Sequence, residues 1–444
     1  MSAPIQKLPN EILLAIFENF CGHCESSEVC ICDAHDTMPF VIRQRMRLRK
    51  DLLNLAKTCR GFRPAALQVF YHAPSIDSYR LPRFPNPLRT MSPTGASHML
   101  DFFRASLSFA PYVKKFVFRT TNGAPEGLEI PALGAQLAMF PNLEEATVQI
   151  SFNDGVHLPA GAQLQRLRRA SIMGSPGTVS LEGAWDLLER ASGSLDLLTL
   201  QCIFVSAPAL PCQNVTTLHL RGVEVEKPTL LSLFRGSFPR LQTLSWQNST
   251  MTSSHNDDDD GDDRAPWGFF EAIAGLKDTL VHLDLIDGRL SFAEAAMWLP
   301  RMMALRTLSV PGRWSWSELV VADGTEETDP GKFEPSAPKL LSYDRKADTL
   351  HTAILEEMRP KWHDTLPTSL VVLRLPSALP HGGDFLAGDW EARLPALRLL
   401  VLGRNAHADA VAGHFVACFG EDQVSVLREC EPREQHRPPF VGLD

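Results

Sequence analysis

From about residue 111 toward the C-terminus, apolar residues return in one short register. An apolar position is followed by two variable ones, a second apolar position, one variable position and a third apolar position. LDLLTL (195–200), VTTLHL (215–220), LQTLSW (241–246), LVHLDL (280–285), LRTLSV (305–310), LVVLRL (370–375) and LRLLVL (397–402) carry it most clearly. LEEATVQI (143–150) and LQRLRRASI (164–172) follow it more loosely, with fainter copies at 113–118 and 340–343. Alternation over the last three positions is the period of a strand with one face buried. Between copies lie GAWDLLERA (183–191), PTLLSLF (228–234), WGFFEAIAGL (267–276) and FAEAAMWL (292–299), which read as helices. A strand followed by a helix, repeated many times, predicts parallel strands.

The clear copies begin at 195, 215, 241, 280 and 305, so the gaps are 20, 26, 39 and 25 residues. Leucine-rich repeats run about 20–29 residues, each with a short strand and a helical or irregular return. The shorter gaps fit that unit and the longer ones require insertions. Taking the faint copy at 340 as a further rung divides 305–397 into 35, 30 and 27 residues. The competing reading is a compact α/β domain; the fixed register favours a solenoid in which each unit buries its leucines on its neighbours.

The first seventy residues follow a different rule. LPNEILLAIFENF (8–20) places Ile12, Leu13, Ile16, Phe17 and Phe20 on one helical face, with Glu11 at the positive end of the dipole. DLLNLAKTC (51–59) groups Leu52, Leu55, Ala56 and Cys59, and Gly61 ends it. A third helix starts at Pro64 and presents Leu67, Phe70 and Tyr71. Three short helices cannot bury this much apolar surface among themselves, so a partner or another domain is expected to cover the rest.

Leu8-Pro9-x-Glu11-Ile12-x-x-x-Ile16-Phe17 resembles the opening of an F-box, and Leu52-x-x-Leu55-x-x-x-Cys59-Arg60-x-Phe62 resembles its second half. The following AALQVFYHAP is similar to the close of the motif in many fungal F-box proteins. The resemblance implies a three-helix domain over residues 1–75 that binds a Skp-type adaptor and, through it, a cullin scaffold. The residues it assigns to the adaptor are Leu8, Pro9, Ile12, Leu13, Ile16, Phe17, Leu52, Leu55, Cys59, Phe62 and Leu67. The plainer alternative is a helical end cap on the solenoid. On this reading a connecting helical segment (76–110) leads to an irregular leucine-rich-repeat solenoid (111–430) and a tail (431–444).

About 27 residues (21–47) separate the first two helices, more than a compact F-box needs. This insertion holds Cys21, Cys24, Cys30 and Cys32, four thiols within twelve residues, which admits a tetrahedral zinc site. The spacing after the first pair is non-standard, and an exposed cysteine-containing loop is the simpler account. Nothing else in the sequence calls for a cofactor.

Net charge is −9 and six aspartates fall within 257–263, so neither a general nucleic-acid binder nor a membrane partner is expected. An EF-hand register with Gly261 at its sixth position puts Trp267 where a bidentate glutamate is required, so the acidic run reads as a solvated loop. The N-terminus lacks a secretory pattern and the nine cysteines are partly scattered, which points to reduced thiols inside the cell, in cytoplasm or nucleus.

The chain has no G-x-S-x-G, H-E-x-x-H or complete phosphate-binding loop, so no catalytic residue is assigned. With the leucines inward, the alternate strand positions offer a target-binding face: Gln201, His219, Arg221, Gln247, Asp284 and Arg374, together with Thr199, Ser245 and Ser309. The expected function is that of a substrate-recognition subunit of a ubiquitin ligase. Alternatives are an adaptor-binding interaction protein without a degradation role, and an enzyme on an α/β core.

Overall fold

The computed structural model describes residues 8–19, 21, 51–77, 107–119, 131–150, 155–174, 179–206, 209–210, 212–252, 268–286, 290–310, 314–315, 365–375, 389–403, 408–420 and 423–428. Two compact units divide the chain, Met1–Leu198 and Thr199–Asp444. The architecture is mixed α/β with parallel strands.

In the first unit, α1 (Asn10–Glu18), α2 (51–58) and α3 (Arg63–Phe70) surround a core of Leu13, Phe17, Cys21, Leu52, Ala65, Ala66 and Val69. The Pro9 carbonyl accepts from the amides of Ile12 and Leu13, which starts α1 in place of a side-chain cap. Asn19 closes its far end by donating to the Ala15 carbonyl at 3.0 Å. Phe17 meets Phe62 edge-on at 5.8 Å.

The chain leaves α3 directly into the sheet. The strand Ser75–Asp77 pairs in parallel with Lys115–Arg119, and that strand with Glu145–Ile150, which pairs in turn with Arg169–Gly174. Strand pairing thus begins ahead of residue 111, where the apolar register first becomes legible. One backbone device recurs at each step: a single carbonyl accepts two consecutive amides from the next rung. His72 takes Lys114 and Lys115, Lys114 takes Glu144 and Glu145, and Glu144 takes Arg168 and Arg169. The first carbonyl in that series belongs to the helical module, so the module's end is also the first step of the ladder. Tyr71 against Phe109 (4.6 Å) and Glu18 with Lys114 (3.9 Å) reinforce the junction.

In the second unit the same device links Thr216 to 242–243, Gln242 to 281–282, Val281 to 306–307, Arg306 to 371–372 and Val371 to 398–399. The strands it joins, Thr217–Arg221, Thr243–Gln247, His282–Ile286, Thr307–Ser309, Val372–Leu375 and Leu399–Leu402, are all parallel, and Ser425–Arg428 pairs in parallel with the last of them. Every leucine-register residue from Val215 to Leu402 is at most 5% exposed; Leu218, Leu244, Leu283, Leu308, Leu373 and Leu400 are fully covered. Each is clamped between its equivalents one rung away, as the register requires.

After three successive strands the chain turns through a left-handed residue: Cys202 (φ 51°), Gly222 (φ 57°) and Asn248 (φ 46°). Glycine and asparagine are the residues that tolerate this conformation best. Their amides donate to Arg221, Gln247 and Ile286, the last residues of the following strands. A second, short parallel sheet follows each turn, formed by Phe204–Val205, Glu224–Glu226 and Thr250–Thr252. The helical returns lie where expected, as in Lys227–Gly236, which buries Thr229, Leu230, Leu233 and Phe234.

The faint copy at 340–343 reads in the sequence as a further rung. Those residues lie outside the described set, and the ladder passes directly from Thr307–Ser309 to Val372–Leu375. Among the described residues no helix is long and apolar enough to cross a membrane.

Candidate functional site

Two surfaces hold the residues singled out by the sequence. On the helical module, the expected adaptor residues separate by depth. Leu13, Phe17 and Leu52 are 5%, 4% and 1% exposed and form the module's own core, although they were expected to face a partner. Their helical positions point between the helices, where the three segments meet. Leu8, Ile16, Leu55 and Phe62 are half-buried against that core. Leu67 and Cys59 are also half-buried. Pro9 is exposed, and Ile12 is 47% exposed. Ile12 thus stands open one residue from buried Leu13 and one helical turn from half-buried Ile16.

Of the four insertion cysteines only Cys21 is described, and it is buried beside Leu13 and Phe17. Cys24, Cys30 and Cys32 lie outside the described residues, as do the acidic run 257–263 and the tail. The described part of the expected connecting segment is a short strand followed by the 3-10 turn Leu107–Tyr112.

The second surface is the open face of the strands in the second unit. Register places His219, Ser245, Asp284, Ser309 and Arg374 side by side across five strands, followed by Val401 and Leu427. Arg221, Gln247 and Ile286 form the adjoining row. His219, Arg221, Asp284 and Gln201 are half-buried, and Arg374 is exposed.

The sequence expected all of these positions to be open, and three are not. Ser245, Gln247 and Ser309 are 2%, 8% and 8% exposed. Side chains in a parallel ladder can sink between neighbours only about 4.8 Å away, and hydrogen bonds hold Ser245 and Gln247 there. Ser245 donates to Asp284 at 3.2 Å, and Gln247 donates to the Ser245 hydroxyl at 3.0 Å. Gln247 is therefore a support for Asp284 rather than a free contact. Burial lowers the His219 pKa and the Asp284 charge partly offsets this, so the imidazole is held toward its neutral form.

What the sequence reading missed is the apolar end of this face. Val372 and Leu399 are half-buried, Leu427 is 55% exposed, and Ile286 is 37% exposed in the polar half. The signal was present: the variable positions in LVVLRL and LRLLVL are themselves apolar. The face thus passes from polar and charged to apolar along the ladder.

No family model matches the chain. A reducing polyketide synthase of Botryotinia fuckeliana is 28% identical over 153 residues, which is 32% of this chain and 6% of that protein's length. An internalin structure from Listeria monocytogenes aligns over 78% of this chain and 92% of its own, at 14% identity and a TM-score of 0.33.

Proposed function

We propose that the chain is a substrate-recognition subunit of a Skp–cullin–F-box type ubiquitin ligase. The helical module binds the adaptor, and the open strand face holds a target protein within reach of the ligase's charged ubiquitin carrier. Acceleration then comes from proximity across a scaffold, without chemistry by this chain. On this reading it acts inside the cell. The observation that carries it is the ordered F-box-like pattern, with Ile12 standing exposed beside a core made by its own neighbours Leu13 and Phe17. An end cap needs one covered apolar face and no exposed anchor next to it.

The test is co-purification of the full chain with a Skp-type adaptor. Ile12→Asp places a charge at the exposed position and should leave melting unchanged. Losing a central interface anchor costs about 2 kcal/mol or more, some thirtyfold in affinity, so capture should fail. Wild-type capture by a folded Ile12→Asp chain would overturn the adaptor reading. If capture is lost while target levels stay the same, the chain binds the adaptor for an end other than degradation.

A further inference from the structure

We propose that a shallow hollow among the helical returns of the second unit binds a short acidic peptide segment with an apolar side chain, supplied by a partner protein. This site is separate from both surfaces described above and does not depend on the ubiquitin-ligase reading. Ala274, Lys277, Trp298, Arg301 and Met302 line a space of about 230 Å³. Its two sides are tied together, because the Ala304 amide, just past Arg301, donates to the Lys277 carbonyl at 3.4 Å.

Three observations define the occupant. First, Arg301 lies over the Trp298 ring, 5.0 Å from guanidinium carbon to ring centroid. Stacking restrains a long side chain that would otherwise lose rotamer freedom on binding, while its planar fork of N–H donors keeps the geometry that suits a carboxylate. Second, neither Arg301 nor Lys277 forms an ion pair among the described residues, and both are exposed. Asp278 follows Lys277 in the chain without pairing to it. Two unneutralised cations at an apolar hollow, on a chain of net charge −9, form a local site for an anion. Third, the described residues include five large apolar side chains that stand exposed, and two of them, Met297 (47%) and Met303 (59%), belong to this same short stretch. Methionine adapts to irregular apolar partners. A carboxylate bridging Lys277 and Arg301, with an apolar side chain on Trp298 and Ala274 in the hollow and the exposed methionines close by in the chain, satisfies both halves. A nucleic-acid backbone would need a longer track of cations than two.

The experiment uses the full chain and fluorescence anisotropy of labelled hexapeptides. Glu-Asp-Phe-Leu-Asp-Glu should bind about tenfold more tightly than Gln-Asn-Phe-Leu-Asn-Gln, and by a similar factor than Glu-Asp-Ser-Gly-Asp-Glu, with affinity falling as salt rises. The charge reversals Lys277→Glu and Arg301→Glu together should remove the preference for the acidic peptide while circular dichroism stays unchanged. Equal binding of the acidic and neutral peptides by the wild-type chain would overturn the proposal, whatever the variant does. So would wild-type affinity in the folded double variant, or binding of an oligothymidylate in preference to the peptide.

Discussion

The helical module and the leucine ladder bury their apolar residues to different depths. In the ladder, Leu244, Leu283 and Leu308 are fully covered, because each is flanked by equivalents from the rung before and the rung after. In the module, Leu8, Leu14, Ile16, Leu55, Phe62 and Phe70 are only partly covered and Ile12 is largely open. Three short helices enclose too little volume to do better. Repetition therefore completes its own core, whereas the module leaves apolar surface uncovered. A residue of the same type should matter for stability in the first region and for binding in the second.

The largest effect should come from breaking a rung. Leu283→Ala removes a side chain fixed on both sides, where collapse around the cavity is restricted, and should cost about 3–5 kcal/mol. For a unit the size of Thr199–Asp444 that is a fall in melting temperature of about 6–20 °C. A drop of only a degree or two, measured by calorimetry, would mean that the rungs do not clamp one another. Leu55→Ala, in a half-buried site that can relax, should cost about 1–2 kcal/mol. Its effect should also travel, because the His72 carbonyl at the end of the module holds the amides of Lys114 and Lys115. Hydrogen exchange should quicken at those two amides in Leu55→Ala and stay unchanged at 243–247. Unaltered protection at Lys114 and Lys115 would show that the module unfolds independently of the sheet.

The ladder was readable in the sequence because burial there is periodic: an apolar residue at the first, fourth and sixth positions says the same thing seven times over. The strand at Ser75–Asp77 was not, since three residues held by backbone pairing with Lys115–Arg119 need no apolar pattern of their own. The short second sheet was hidden for the same reason, although Gly222 and Asn248 marked the turns that lead into it. At the candidate site, the register correctly brought His219, Asp284 and Arg374 to one face. It could not show that Ser245 and Gln247 would sink beneath their neighbours, because depth on an open face depends on side chains from adjacent rungs. On α1, the helical period identified one apolar face but could not divide Leu13 and Phe17, which point inward, from Ile12, which does not. Hollows between returns, such as that at Trp298 and Arg301, arise from loop and helix ends where no period operates.

The smallest effect concerns a polar counterpart to the ladder's leucines. Glu294, in the helix Phe292–Trp298, is 2% exposed, and its two carboxylate oxygens accept from the amides of Gly268 (3.0 Å) and Glu271 (2.8 Å). It thereby satisfies donors at the start of the neighbouring helix, Phe269–Ile273, which has no side-chain cap of its own. Burial pushes its pKa up; the amides that bond it and the Lys227 charge pull the other way without cancelling the shift. A carboxyl whose folded pKa exceeds its unfolded value keeps its proton in the folded state after the unfolded chain has released it. Its contribution to stability is complete below the ordinary glutamate range and is lost as pH rises through the raised folded value. Glu294→Gln keeps the shape but turns an NH2 toward one of the two amides, which should cost about 1 kcal/mol. It also removes the titration, so only the wild-type chain loses stability from this group as pH rises. The difference between the two proteins, from urea melts at matched salt, should be greatest near the ordinary glutamate pKa and narrow toward neutrality. A difference that widens with pH would mean the charged form is favoured in the fold, with the amides and Lys227 outweighing burial.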